Sequence, residues 1–448
     1  MQDKYGLLSA PIAHVLRQMT VPLVFGLVAV LMFNLVDTFF ISLLGTQALA
    51  AISYTFPVTF AVNCITMGIG VGLATSIGRL LGQGNSQLAA RVASHGLLLA
   101  LLLIICASTL GLLTLNPLFL LLGASRDLLP LIAQYMQVWY LTIPLLVLPM
   151  AGNSVIRATG DTKTPAKIML LAGAINGVLD PLLIFGYGPF PALGIQGAAI
   201  ASAWSWLGAL LGSLYLLIKR DKLLAMPSWS QLAHDWRQIL KIGTPATLST
   251  AMNPLAGALL MMMLSSHGTS AVAAYGAALR IESILILVLM SLTSALTSFM
   301  AQNFGAKNPA RSFAGLFISL RFALLFQLMV FIMMVPLSVP LAALFSQEPV
   351  VRDLLWHYLL VVPISYGFQG VVMMLISALN ALHQPLQAFQ WSFMRLFVFT
   401  LPAAWIGSVY YHTEGLFIGI ALGNVLGGLL AYLYALRLRH QNLMSDLG

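Results

Sequence analysis

The chain has 448 residues, 60% of them hydrophobic and only 7% charged, with a mean hydropathy of +0.94. Soluble domains carry about 25% charged residues, so a water-soluble fold is excluded and an integral membrane protein is expected. The formal net charge of +9 would suit a nucleic-acid binder, but the cations are distributed in a way that excludes one.

The apolar stretches run 20–30 residues and lack the alternating pattern of outer-membrane barrels, so the spans are helical. The first begins near Thr20. It is too long for a cleavable signal segment and has no small-residue cleavage site, so it reads as a true first helix. Twelve spans are predicted in all. In the first half they lie near 20–44, 48–78, 93–116, 129–156, 166–187 and 194–218. In the second half they lie near 241–266, 271–301, 312–345, 350–379, 386–408 and 414–436. The cysteines, Cys64 and Cys106, fall inside spans two and three and offer neither a disulfide nor a metal framework.

Span one carries Asp37 as its only charge. A carboxylate in mid-membrane costs about 2.5–3.5 kcal/mol on insertion scales, so a chain that keeps one is expected to use it. Pro22 frees the carbonyl of Gln18 and permits a bend, which makes it a candidate hinge. Phe33 and Asn34, one turn before Asp37, are candidate substrate-lining residues. In span four, Asn153 precedes the loop bearing Arg157 and Lys163.

Span five holds Asn176 and Asp180 at i, i+4 on one face, which Met169 and Gly173 extend. Pro181 leaves the Gly177 carbonyl without its helical donor. Amide, carboxyl and free carbonyl together suit a proton or a small cation. Span six adds Ser202 and Trp206, again i, i+4. Away from the span ends, the remaining acid is Glu282, two residues from Arg280, and the two are expected as a structural polar pair. Arg395 in span eleven needs a partner, and Glu282 is one choice.

An internal repeat runs at an offset of 223 residues: Pro22, Gly45, Thr46, Gly82 and Asn85 recur as Pro245, Gly268, Thr269, Gly305 and Asn308. Each half holds six spans, so the repeat is parallel, as in transporters built from two bundles. Asp37 maps onto Leu260 and, at offset 220, Asp180 maps onto Thr400. The acids are therefore not scaffold. The organisation expected is an N-lobe over 1–218, a cytoplasmic linker over 219–240 and a C-lobe over 241–448. The linker pattern Trp229, Leu232, Trp236, Ile239 and Leu240 reads as an amphipathic helix in the headgroup region.

Sixteen cations, Lys4 and Arg17 through Arg437 and Arg439, map to one side of the membrane, against Arg126 and Arg352 on the other. That bias places both termini in the cytoplasm. No zinc-ligand spacing and no phosphate-cradling GxxxxGK[ST] loop occurs, so neither metal chemistry nor ATP is indicated.

Leu81–Gly82–Gln83–Gly84–Asn85, mirrored by Phe304–Gly305–Ala306–Lys307–Asn308, and the stretch Arg157–Pro165 resemble the multidrug and toxic compound extrusion (MATE) family. The stretch Ala274–Glu282 with Gln302–Gly305 resembles its DinF-like branch. The resemblance implies an all-α membrane protein of twelve helices in two pseudo-symmetric six-helix bundles around a V-shaped cleft. It implies no enzyme activity and no cofactor, only H⁺ or Na⁺ as coupling ion. The activity implied is multidrug efflux by antiport, from the bacterial inner membrane, by a monomer that handles amphipathic, often cationic compounds. The branch's coupling acids match Asp37 and Asp180, its polar partners match Asn153, Asn176 and Ser202, and its bend matches Pro22. An aromatic hydroxyl familiar one turn before the first acid is Phe33 here. Protonation of the two acids, with bending of the first helix, is then expected to release the drug. Na⁺ coupling through the same residues and a lipid-linked sugar flippase are the alternatives. A flippase would want a cationic cavity.

Overall fold

A computed structural model of the chain describes residues 5–187 and 190–444; Lys4 lies outside them. The described residues form helices joined by turns and short loops, with no strand among them. Two compact units divide the chain, one of Tyr5 and Val21–Thr247, the other of Gly6–Thr20 and residues 248–444.

The first unit is built from α1 (Ile12–Ser42) from Val21 onward, α2 (Thr46–Gly82), α3 (Ser86–Leu113), the short α4 (Leu115–Leu121), α5 (Leu129–Thr142), α6 (Pro144–Ala158), α7 (Lys163–Phe185), α8 (Ile195–Tyr215) and the start of the next helix up to Thr247. Pro144 lacks an N–H and ends α5, so α5 and α6 form one span bent by 45°. A π-helical turn, Leu216–Arg220, extends α8. Small residues allow the helices to approach closely, as expected without a hydrophobic drive between spans. Ile41, Phe119, Trp139 and Trp206 lie in the apolar core these helices share. Cys64 is buried and Cys106 is exposed.

The second unit takes α9 (Trp229–Ser265) from Leu248 onward, then α10 (Thr269–Leu285), α11 (Leu287–Gly305), α12 (Pro309–Phe345), α13 (Pro349–Val361), α14 (Tyr366–Ala381), α15 (Pro385–Phe393) and α16 (Leu401–Met444). The seven residues Met394–Thr400 between α15 and α16 are π-helical. Non-helical Tyr411 and His412 interrupt α16, and His412 has φ 52°. The chain folds back there: Gly407 meets Gly415, Gly419 meets Ala403 and Gly423 meets Thr400. Among the described residues, ten helical stretches have the length and apolarity to span a membrane, or eleven when the bent α5–α6 pair counts as one. The expected twelve is not reached on that basis, because the 385–443 stretch counts once although it reverses direction.

The repeat read from the sequence reappears as geometry. Gly45 and Gly268 precede α2 and α10 with φ of 109° and 107°, a region that disfavours any side chain. Asn85 and Asn308 each cap a helix, accepting the N–H of Leu88 and of Arg311 at 3.1 Å.

The unit boundaries differ from those expected at 218 and 240. They fall at Thr20/Val21 and Thr247/Leu248, beside Pro22 and its repeat partner Pro245. The linker differs as well. Trp229–Ser265 is one continuous helix, so residues 229–240 are its first turns rather than a separate interfacial helix. Trp229 is exposed, but Ile239 is fully buried, and Trp236 donates its indole N–H to the carbonyl of His95 at 2.8 Å. Asp235, next to Trp236 on these turns, is buried against α3, where Arg91 and His95 pair with it and hold this stretch inward.

Candidate functional site

Glycines on α1 and α7 set the register that builds the site. A Cβ at Gly26 would lie 3.3 Å from Ala166 and 3.5 Å from Met169 Sδ. One at Gly173 would stand 3.8 Å from the Ala29 carbonyl and 4.0 Å from Phe33 Cβ, and one at Gly177 would lie 3.8 Å from Val36. The numbers rise together along both helices, so α1 and α7 run parallel. The next step of that register sets Asp37 level with Asp180, and the two carboxyls interact electrostatically.

Asn176 and Asp180 have no exposed surface, and Ser202 is almost as deep. Asn176 Nδ2 donates to Asp180 Oδ1 at 3.1 Å and to Ser202 Oγ at 3.4 Å. Among the described residues, Asp37 Oδ1, Asp180 Oδ2 and Asn176 Oδ1 have no hydrogen-bond partner although all are buried. Unpaired buried acceptors are rare and costly. Here they are three oxygens at the meeting of α1 and α7, a donor-poor arrangement that can accept a proton or a small cation. Two carboxyls in such a place cannot both stay charged without a counter-cation.

Tyr135 on α5 was missed from sequence. It is buried and lies within electrostatic reach of both Asp37 and Asp180. With Phe33 in the position where the resemblance expects a hydroxyl, the nearby phenol comes from another helix. The only available signal was a tyrosine in an apolar span, which is indistinguishable from a core residue.

The remaining expected residues divide. Phe33 and Met169 are half-buried where α1 meets α7, with Gly173 between them. Asn34 is exposed, and its carbonyl accepts the Thr38 hydroxyl at 2.7 Å. Pro22 lies within an unbroken α1. Asn153 does not join the polar network. Its neighbour Gly152 packs on Ser213 and Leu217, and Ser213 is eleven residues beyond Ser202 along α8, about 16 Å at helical rise. The spacing of Asn153 in its own span could not show which level of α8 it would meet. Trp206 is buried in the apolar core of the first unit and is not a lining residue; its i, i+4 spacing from Ser202 fixed a face and not what covers it.

The expected Arg280–Glu282 pair is also replaced. Arg280 is exposed, while Glu282 accepts the Tyr358 hydroxyl at 3.0 Å and is bonded by Gln369 and Tyr366. Residues two apart on a helix face different ways. Arg395, fully within the second unit, is the cation that Glu282 feels.

The MatE family model matches residues 22–182 and again 245–406, two copies that begin 223 residues apart. A protein of Shewanella oneidensis named FAD transporter is 47% identical over 440 residues, covering 98% of this chain and 97% of that one. A probable multidrug resistance protein of Bacillus subtilis, YpnP, is 30% identical over 94% of this chain and 95% of its own. Among solved structures, the Vibrio cholerae MATE transporter VcmN in the bent form matches with a TM-score of 0.92 at 30% identity, covering 97% of this chain and 98% of that one. With both halves matched and full-length relatives of this similarity, the chain belongs to the MatE family and is a multi-pass membrane transporter of small compounds, not an enzyme.

Proposed function

We propose that the chain is a secondary active exporter that trades H⁺, taken up at Asp37 and Asp180, for an organic substrate, and that a flavin dinucleotide is that substrate. The coupling half of this reading is carried by one observation: buried oxygens of Asp37 and Asp180, two acids within electrostatic reach of one another, have no hydrogen-bond partner among the described residues. Protonation removes the cost of the unpaired charge and lets the carboxyls donate. α1 responds by bending near Pro22, where the missing N–H makes the helix pliable, and a relative solved in a bent form supports such a motion. Proton and substrate then oppose one another in binding, which is antiport. Both termini are cytoplasmic, the membrane is the bacterial inner membrane, the protomer works alone, and the chain falls in the DinF-like branch.

The substrate half rests on the relative named FAD transporter, which is far more similar to this chain than is the multidrug relative. Amphipathic drug export is the second reading, favoured by YpnP. Na⁺ is the second coupling ion, favoured by the free Asn176 Oδ1 beside Asp180 Oδ2 and Ser202, an all-oxygen set. Proteoliposomes loaded with FAD test the whole reading. Efflux driven by a pH gradient without Na⁺, and lost in Asp37→Asn, is expected. Efflux driven only by Na⁺ at fixed pH replaces the ion, and efflux of ethidium without FAD replaces the substrate.

A further inference from the structure

A second polar centre lies in the membrane part of the second unit, on residues that the coupling site does not use. Arg395 is more than nine-tenths buried, at 7% exposure. It sits on the π-helical segment Met394–Thr400, where the Thr400 hydroxyl bonds back to its carbonyl at 2.7 Å. Such wide turns are rare and recur at functional sites. Gly423 and Gly427 pack against Thr400 and Arg395, which makes room for this widened turn.

The guanidinium is under-used. Nη2 donates to Asn253 Oδ1 at 2.7 Å, and Nε has no partner among the described residues although it is buried. Glu282 offsets its charge from within electrostatic reach, yet that carboxylate takes its hydrogen bonds from Tyr358, Tyr366 and Gln369. Five N–H groups on a planar fork thus face a setting that uses few of them. Asn253, the residue that holds the fork, is exposed, so the cation is reached from the surface of the unit. A buried arginine whose only purpose was to neutralise Glu282 would turn its N–H groups to that carboxylate.

We propose that Arg395, presented by Asn253 and balanced by Glu282, binds the phosphate of an organic anion, the pyrophosphate of the exported dinucleotide. The fork of arginine matches phosphate oxygens bidentately. The choice of dinucleotide rests on the flavin reading above; the phosphate chemistry does not. An anionic lipid headgroup presents the same chemistry, and the test separates the two.

Flavin fluorescence reports binding to the full-length protein in phosphatidylcholine nanodiscs, with FAD, riboflavin and inorganic pyrophosphate as probes. FAD is expected to bind at least about tenfold more tightly than riboflavin, and pyrophosphate to compete with it, as a charge-assisted hydrogen bond to the phosphate implies. Arg395→Gln and the milder Arg395→Lys should lose that advantage while riboflavin binding stays the same. Asn253→Asp, an isosteric change at an exposed position, sets a carboxylate against the phosphate and should do likewise even where an arginine variant fails to fold. FAD affinity unchanged in Asn253→Asp and Arg395→Lys overturns the proposal. Wild type that binds no flavin but binds pyrophosphate through Arg395 overturns the flavin reading and upholds the anion site; binding of neither overturns both. Loss of FAD binding on adding phosphatidylglycerol, in wild type but not in Arg395→Lys, assigns the same fork to lipid phosphate and overturns the dinucleotide as its occupant.

Discussion

His95 Nδ1 lies 2.7 Å from Asp235 Oδ2, and neither side chain reaches solvent. The backbone N–H of Ser228 donates to His95 Nε2 at 2.9 Å. Nε2 is therefore an acceptor, so Nδ1 carries the proton and donates it to the carboxylate. Arg91 adds two bonds to the same acid, at 3.1 and 3.2 Å. Together they fasten the first turns of α9, with Ser228 just before it, onto α3.

Replacing Asp235 tests that clamp. Asp235→Ala strands a buried imidazole and the Arg91 guanidinium, a change that costs about 3–5 kcal/mol when a buried pair is broken from one side. A clear drop in Tm of the purified protein in detergent is expected. His95→Ala combined with Asp235→Ala should cost less than the sum of the two, since they share one interaction. An unchanged Tm in Asp235→Ala would remove the clamp from the account.

Asp37→Asn and Asp180→Asn should each fold normally and lose gradient-driven export, because an amide cannot take up the proton. Transport in proteoliposomes against the Tm of the same samples separates the two effects. Asn176→Ala should weaken export, since it removes the donor shared by Asp180 and Ser202. Asn153→Ala is the contrast: its neighbour Gly152 packs on Ser213, about three turns of α8 beyond Ser202, so it should leave the ion dependence intact. A change of coupling ion in Asn153→Ala would contradict its placement.

In the second unit, the segment Gly6–Thr20 is held by α11 and α12. Asn303 Nδ2 donates to the Leu7 carbonyl at 3.1 Å, and Arg311 donates to the carbonyls of Leu7 and Ala10. Leu7 itself is buried. Arg311→Ala should free this segment and make it sensitive to limited proteolysis, with the helices behind it intact. Equal cleavage rates in wild type and variant would argue against the tether.

The helical class, the repeat and the two acids were legible because each leaves a local trace: a long apolar run, a fixed offset, a charge with no neighbour. Asn176 and Asp180 were paired from spacing alone, and their bond has that spacing. What spacing cannot give is the level at which one helix meets another. Asn153 and Ser202 are both polar residues in apolar spans, yet α6 meets α8 at Ser213, beside Asn153, a different level from Ser202. Trp206 and Tyr135 show the same limit from opposite sides, one an expected lining residue lying in the core, the other an apparent core residue beside both acids. Asp235 was unreadable for another reason. A charge in a linker is ordinarily solvated, and only its partners on a helix far away in sequence bury it.

Acidification should loosen the join between α6, α7 and the end of α8, through Asp161. Its carboxylate accepts the Thr164 N–H at 3.0 Å and hydroxyl at 2.6 Å, pairs with Arg220 at 2.8 Å and accepts the Tyr5 hydroxyl at 3.2 Å. Burial pushes the Asp161 carboxyl up, but the Thr164 hydrogen bonds and the Arg220 charge outweigh it and hold the group below its ordinary value. A carboxyl whose pKa is lower folded than unfolded stabilises the fold above the unfolded value, about 3.9, and loses that contribution as pH falls through the folded one. Tyr5 behaves oppositely. Burial and the Asp161 charge push its phenol up to about 12, so it still donates in mild alkali. Wild type should therefore exceed Asp161→Asn in Tm at pH 7 by a margin that persists to pH 9 and shrinks below about pH 4. A margin that grows on acidification would reverse the sign and refute the assignment.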